Sequence, residues 1–253
     1  DGYQPMRDMN GCVMRDTDGT ILYEECSDIP PDEPAIKVRF GYLYNWFAAI
    51  DVRIAPVGWH VPDAAELVTL SNFLGGDAVA GGKLKEIGTD NWNTPNTGAD
   101  NSSGFTLLAG GSRSDTDELN GAFHTGEFYD LLVYGAFWTT SDAGPGAPTY
   151  GRAAYYSAEL LISVAEHKVG MSIRCLRDTS VGWVAGEQVT DYDGNIYDTV
   201  QIGTQVWLVQ NLAVTHYNDG TLIPNVTDNA AWLTLSTGAR CSYDNDESNA
   251  FTI

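Results

Sequence analysis

The sequence predicts an α+β protein, with helical patterning in its first third and strand patterning in its second half. Three observations carry this. A well-signposted helix lies between Pro62 and Gly76. Alternating apolar positions with Asp-Gly and Gly-Thr turns mark strands from Arg152 onward. Between them, residues 91–148 are rich in Gly, Asn, Ser, Asp and Thr, the composition of long irregular loops. Helices and strands held in separate stretches argue for α+β rather than alternating βαβ units.

With 253 residues the chain has room for one large domain, or one domain and an appendage. Lys and Arg total 13 against 34 Asp and Glu, a net charge of −21, so nucleic acid and anionic membrane surfaces are excluded as partners. At 43% hydrophobic and 11% aromatic, the chain has the material of a packed core. Its longest apolar stretch, residues 131–138, contains Tyr134 and Gly135 and is far too short to insert in a membrane. The sequence starts at Asp1 with neither Met nor an apolar leader, which reads as a mature or excised segment whose signal peptide has been removed.

Residues 1–34 read as an appendage. Cys12 and Cys26 flank Asp16-Thr17-Asp18-Gly19-Thr20, and a hairpin turning at Gly19 sets the two cysteines opposite each other as a candidate disulfide. Such a bridge implies an oxidising, extracellular compartment. The prolines of Ile29-Pro30-Pro31-Asp32-Glu33-Pro34 then enforce an extended linker. Residues 35–178 follow as a second block. Phe40, Leu43, Tyr44 and Phe47 recur at spacings of three and four, which predicts a first helix. The second helix has Asp63 as its cap, Glu66 to close a capping box, Leu67, Leu70, Phe73 and Leu74 on one face, and Gly75-Gly76 at its end. After the loops, Arg152–Val164 and Gly170–Leu176 read as two arms of a hairpin. Residues 179–187 form a linker. In the last block, 188–253, Asp193-Gly194 predicts one turn, and Gly203-Thr204 another between strands 198–202 and 205–212.

Several motifs then accumulate: Gly58-Trp59-His60-Val61-Pro62, Gly81-Gly82-Lys83-Leu84-Lys85, Gly104-Phe105, Gly110-Gly111-Ser112-Arg113, Phe137-Trp138-Thr139-Thr140-Ser141 and Ser172-Ile173-Arg174-Cys175-Leu176-Arg177-Asp178. Together with Ile202-Gly203-Thr204-Gln205-Val206-Trp207, Asn211-Leu212 and Tyr217-Asn218-Asp219-Gly220, they resemble the Fibrobacter succinogenes major paralogous domain, a family of secreted bacterial proteins. The resemblance covers roughly 40–178 and 188–253 and implies a C-type-lectin-like fold, similar to that of the formylglycine-generating enzymes. It implies two helices and irregular Gly/Asn-rich loops.

The two halves stand in permuted order: the block that opens the family's domain is here the C-terminal one. Residues 188–253 therefore either fold back on 40–178, or complete a neighbouring molecule, or belong to an arbitrary cut through a tandem array. Exchange between molecules is head-to-tail and generates a filament when it does not close. Burial of Val206, Trp207 and Leu208 would strengthen it by about 1.5–3 kcal/mol each. In every arrangement Cys175 and Cys241 fall in one completed domain, and that shared membership makes them a candidate disulfide.

His60 reads as a structural histidine beside the capped helix, with no acidic partner at a helical spacing. Arg113, Arg174 and Arg177 are scarce cations expected to pair with carboxylates. Asp16/Asp18 and Asp191/Asp193 read as turns, whereas Asp244, Asp246 and Glu247 form a candidate Ca2+ site. Cys175 sits among apolar alternation rather than in a reactive setting, and no G-x-S-x-G, P-loop or H-E-x-x-H occurs, so no enzyme and no cofactor other than Ca2+ is expected. By analogy with lectin-like domains, Arg152, Tyr155, Tyr156, Glu159, Glu166 and His167 form a candidate surface for a glycan or protein. Leu160, Leu161, Ile162 and Val164 make a run more apolar than an exposed arm needs and, with Val206, Trp207 and Leu208, a candidate assembly interface. These features point first to a structural subunit of a bacterial cell-surface fibre or other extracellular assembly, its partners being copies of itself. A lectin-like adhesin or phage-type receptor binder is the alternative.

Overall fold

A computed structural model describes residues 40–115 and 126–252 and, ahead of them, the backbone of three short strands. The chain divides into two compact units, Asp1–Ala35 and Ile36–Ile253. In the first, β1 (Arg15–Thr17) pairs antiparallel with β2 (Thr20–Leu22), Thr17 opposite Thr20. Two residues separate the paired ends, the spacing of a tight hairpin as the sequence predicts. Cys12, Cys26 and the proline linker lie outside the described residues.

The second unit runs β3 (Lys37–Val38), β4 (Leu43–Tyr44), α1 (Trp46–Ala49), β5 (Trp59–His60), α2 (Ala64–Phe73), α3 (Asp77–Leu84), β6 (Gly110–Arg113) and β7 (Phe128–Leu131). It continues with β8 (Tyr134–Asp142), β9 (Pro148–Ala154), β10 (Leu160–Val164), β11 (Leu176–Arg177), β12 (Gln188–Thr190), β13 (Ile196–Ile202) and β14 (Gln205–Leu208). It ends with α4 (Asn229–Leu233), β15 (Arg240–Cys241), two 3-10 turns (Tyr243–Asn245, Glu247–Asn249) and β16 (Phe251–Thr252). Strands form a five-stranded sheet in the order β12-β13-β14-β11-β5, a three-stranded sheet β10-β9-β8, and the pairs β15-β4, β16-β3 and β6-β7. Helices α2 and α3 pack against β8, β9 and β10. The class is α+β, as expected.

Helix α2 carries the predicted box: the Asp63 side chain accepts from the Glu66 amide, and the Glu66 carboxylate accepts from the Asp63 amide. Two of the helix's orphan donors are thereby satisfied. Helix α3 tolerates Gly81 and Gly82 because a Cβ at either would collide with a backbone carbonyl, that of Glu159 or that of Gly98. The first expected helix shrinks to the single turn α1, capped by Asn45. Phe40, Leu43 and Tyr44 are buried, but so is every residue from Phe40 to Trp46, and total burial leaves periodicity with nothing to report. Leu43 and Tyr44 instead pair with Cys241 and Arg240.

The expected hairpin of 152–164 with 170–176 is also corrected. Residues 152–164 span two strands, β9 and β10, which pair with each other, Arg152 opposite Leu161. Residues 170–176 serve instead as a spine through the unit. Gly170 exchanges backbone hydrogen bonds with Arg113 and Met171 with Tyr44, Ser172 accepts from Trp138, Ile173 from Leu212, and Cys175 from Leu208. Leu176 then lies between Trp207 and His60 in the five-stranded sheet.

Residues 188–253 fold back on their own chain. Val206, Trp207 and Leu208, at most 1% exposed, are core residues here rather than an open interface. Leu160 is also fully buried and Ile162 packs against the same cluster as α2 and α3, so the apolar run is consumed mainly within the chain, leaving Leu161 and Val164 exposed. The Gly203-Thr204 turn is as predicted, with Ile202 opposite Gln205.

Arg174 fastens the two blocks together. Its guanidinium donates to the carbonyls of Phe105, Thr106 and Leu208 at 2.7, 3.0 and 3.0 Å and to Asn211 Oδ1 at 2.6 Å. It also lies 4.5 Å from the Phe105 ring centre. Burial lowers its pKa to about 9, which leaves it charged at neutral pH. Arg113 is built alike, with carbonyls of Gly126, Val226 and Thr227 and the Asn229 side chain as acceptors, between the rings of Phe128 and Trp232. Among the described residues, neither takes the carboxylate partner expected of it. Arg177 does, reaching Glu187 at 3.3 Å. Replacing Arg174 with Met leaves several buried acceptors unpaired, at about 1–3 kcal/mol each. Urea unfolding of R174M is expected to show a loss of at least about 3 kcal/mol, and a loss under about 1 kcal/mol would refute this role.

Candidate functional site

The turn between β9 and β10, residues 155–159, is held from below by a buried lysine. Lys85 follows α3, and its ammonium donates to the carbonyls of Thr97, Ala154 and Ser157 at 2.9, 2.9 and 2.8 Å, 5.3 Å from the Trp92 ring centre. Burial lowers its pKa to about 8. The Tyr155 carbonyl accepts from the Thr97 amide at 2.7 Å, and the Ala158 carbonyl accepts from Gly82 at 2.8 Å. The turn is therefore tied to α3 and the 97–98 loop at successive positions.

Above it the side chains form an aromatic surface. The rings of Tyr155 and Tyr156 meet edge to face at 5.2 Å, and Tyr156 is 53% exposed. The hydroxyls of Tyr156 and Tyr134 are 2.9 Å apart, and that hydrogen bond, with burial, pushes the Tyr134 pKa up to about 12. Arg152 lies 4.3 Å over the Tyr134 ring, a cation–π contact. Tyr134 was not foreseen. The β8–β9 register sets Tyr134 opposite Ala154, next to the tyrosine turn, and sequence spacing alone does not give that pairing.

The six residues expected to form a ligand surface are thus divided. Arg152, Tyr155 and Tyr156 come together, with exposed Glu159 in the same turn. Glu166 and His167 follow the other end of β10, five residues away along the strand, or about 16 Å. His167 stacks on Phe47 at 5.4 Å and touches Trp46, so it belongs to the surroundings of α1.

The acidic residues 244–247 do not converge. Glu247 turns inward to accept from the Tyr42 hydroxyl at 2.6 Å, and Asp246 caps the second 3-10 turn through Ser248. Among the described residues no group of three His, Cys, Asp or Glu is placed to hold a metal ion, which corrects the Ca2+ expectation for Asp244, Asp246 and Glu247. Cys175 and Cys241 are likewise corrected: both are free thiols, buried in separate core clusters. Burial raises the pKa of both, that of Cys241 to about 11, so neither is a thiolate at neutral pH.

His60 has two acidic partners that helical spacing did not disclose. Its Nδ1 lies 2.7 Å from Asp178, brought near by the pairing of β5 with β11, and its Nε2 lies 3.1 Å from Glu66 of the capping box. It borders a cavity of about 360 Å³ lined by residues 49–52 and 54–61, Thr140, Asp178 and Asn218. With both ring nitrogens engaged by carboxylates, His60 acts as a clamp between α2 and the end of β11.

The model of the Fibrobacter succinogenes major domain matches residues 12–177. The chain belongs to that family. No curated protein and no solved structure matches it. The matched span of the Fibrobacter succinogenes major domain begins at Cys12, inside the segment first read as an appendage, and ends at Arg177. Residues 188–253 lie outside it, yet supply β12, β13 and β14 to the sheet that contains β5 and β11 of the matched part.

Burial disfavours the charged His60, but hydrogen bonds to Asp178 and Glu66 outweigh it and raise its pKa. The folded state therefore holds the proton more tightly than the unfolded state, whose value is near 6.5. This stabilisation is complete below that pH and fades as pH rises through the raised value. The melting temperature of the native chain, relative to that of H60Q, is expected to fall across this window, and a constant difference from pH 5.5 to 8.5 would overturn the clamp.

Proposed function

We propose that the chain is a non-enzymatic, secreted binding module of C-type-lectin-like fold that recognises a glycan or a surface protein on its tyrosine–arginine face. The observation that carries this is the Tyr134–Arg152–Tyr155–Tyr156 cluster on a turn fixed by Lys85. Tyrosines bring large amphipathic area at low entropy cost, and a fixed turn pays little further ordering on binding. The lectin-like architecture is supported by the family and by two helices flanking a sheet with long loops. A non-enzymatic role is supported by the engaged His60 nitrogens and the buried, protonated thiols. Extracellular placement agrees with the acidic, tyrosine-rich composition and the Cys12–Cys26 expectation.

Replacing Tyr155 and Tyr156 together with Ala is expected to weaken cell-surface or glycan-array binding at least tenfold. Retained binding by the folded double variant would sink the reading.

A second reading is a head-to-tail subunit of an extracellular fibre. It is favoured by the linker 179–187, where Val181 and Val184 are 83% and 63% exposed. The β11–β14 pairing that this linker closes within one chain has the same contacts when made between chains. Light scattering over a concentration series, with negative-stain microscopy, separates the two. Single 27.4 kDa particles are expected for the module, and regular fibres would favour exchange.

A further inference from the structure

A second surface has a different construction. A groove of about 870 Å³ opens between α2, the β13–β14 turn and the segment 183–186. That volume falls in the range of small-ligand sites, about 300–1,000 Å³. Two aromatic rings line it: Phe73, 64% exposed, and the half-buried Trp183.

Both rings are held in place. Gly203, at φ +62°, brings its backbone against Phe73, and a Cβ there would meet the ring at 2.8 Å. The indole N–H of Trp183 donates to the Thr199 hydroxyl at 2.8 Å, and that hydroxyl donates to the Glu187 carbonyl at 2.5 Å. The indole's one donor is therefore spent, which leaves its ring as the contact surface.

The polar part of the groove is neutral. Its side chains include the amides of Gln201 and Gln205 and the hydroxyl of Thr204, and no Asp, Glu, Lys, Arg or His lines it. In a chain with 34 acidic residues, an uncharged lining of this size stands out. Gln205 is anchored beneath the groove: its Nε2 donates to the Glu66 carbonyl at 2.9 Å, and its Oε1 is buried.

Fixed aromatic faces with neutral amides and hydroxyls suit one ligand chemistry in particular. A pyranose offers apolar C–H faces that lie against the negative face of an aromatic ring, and a rim of hydroxyls that donate and accept. An anionic ligand finds no cation here, and a cationic one finds no carboxylate.

We propose that this groove binds a neutral saccharide, stacked on Phe73 and Trp183 and hydrogen-bonded by the exposed Gln201 and Thr204. It shares no residue with the tyrosine surface, so the two bind independently.

The test is calorimetric titration of the whole chain with neutral hexasaccharides of glucose, xylose, mannose and N-acetylglucosamine, with oligogalacturonate as the charged control. At least one neutral hexasaccharide is expected to bind while oligogalacturonate does not. F73A and W183A are each expected to weaken that binding at least tenfold, and I87A, at an exposed residue outside both surfaces, to leave it unchanged. Unchanged melting temperatures exclude unfolding as the cause. G203A, which displaces the Phe73 ring without removing it, gives a second reading of the same loss. Failure of every neutral hexasaccharide to bind, or binding that survives F73A and W183A, overturns the proposal. Loss in Y156A with retention in F73A and W183A assigns saccharide binding to the tyrosine surface and equally overturns the groove.

Discussion

A positive charge buried without a negative one organises this fold. Arg174 sits in the core with carbonyls and an amide as acceptors, and Arg113 and Lys85 repeat the pattern. The reason lies in the loops. Long irregular segments carry carbonyls that no sheet or helix satisfies, and buried ones must still be paired. A guanidinium offers five donors in one plane and serves several carbonyls at once. Through Arg174, the loop at 105–106 in the first block is bonded to the strand end and loop at 208–211 in the last. The chain's net charge of −21 also favours cations wherever they lie, which offsets part of the cost of burying them.

Backbone hydrogen bonds join the same two blocks. The spine 170–176 gives and takes them with segments from both. Strand β16, near the end of the chain, pairs with β3 at the start of the unit, Phe251 opposite Val38. The two ends of this unit are therefore neighbours in space. The linker 179–187 joins the blocks in the open, with Val181 and Val184 exposed.

What the sequence disclosed follows the range of the forces involved. Local chemistry was legible: the Asp63–Glu66 capping box, the pairing of Thr17 with Thr20 and the Gly203-Thr204 turn depend on residues within a few positions of one another. Periodicity failed where burial was complete, as at 40–46 and 169–176, since a segment buried on every side shows no polar face. Pairings across the chain were not legible at all. The acidic partners of His60, the place of Tyr134 beside Tyr156, and the carbonyl acceptors of Arg174 all depend on which strand meets which. The apolar run 160–164 reads as an interface because it is more apolar than an exposed arm needs, but α3 with its two glycines comes close enough to cover Leu160.

The two candidate surfaces draw on the same solution. A binding face is most useful when its rings are already fixed, because ordering them then adds little to the cost of association. Beneath Tyr155 and Tyr156, the Lys85 ammonium gathers three carbonyls and sets the turn. Beneath Phe73, the bare backbone of Gly203 lets the ring seat against the hairpin. Neither device uses a carboxylate, so neither adds negative charge to the face it supports. An acidic chain that bound through its carboxylates would be governed by salt and divalent cations. One that binds through aromatic rings, amides and an arginine, on supports buried out of reach of screening, keeps its recognition separate from its acidic charge.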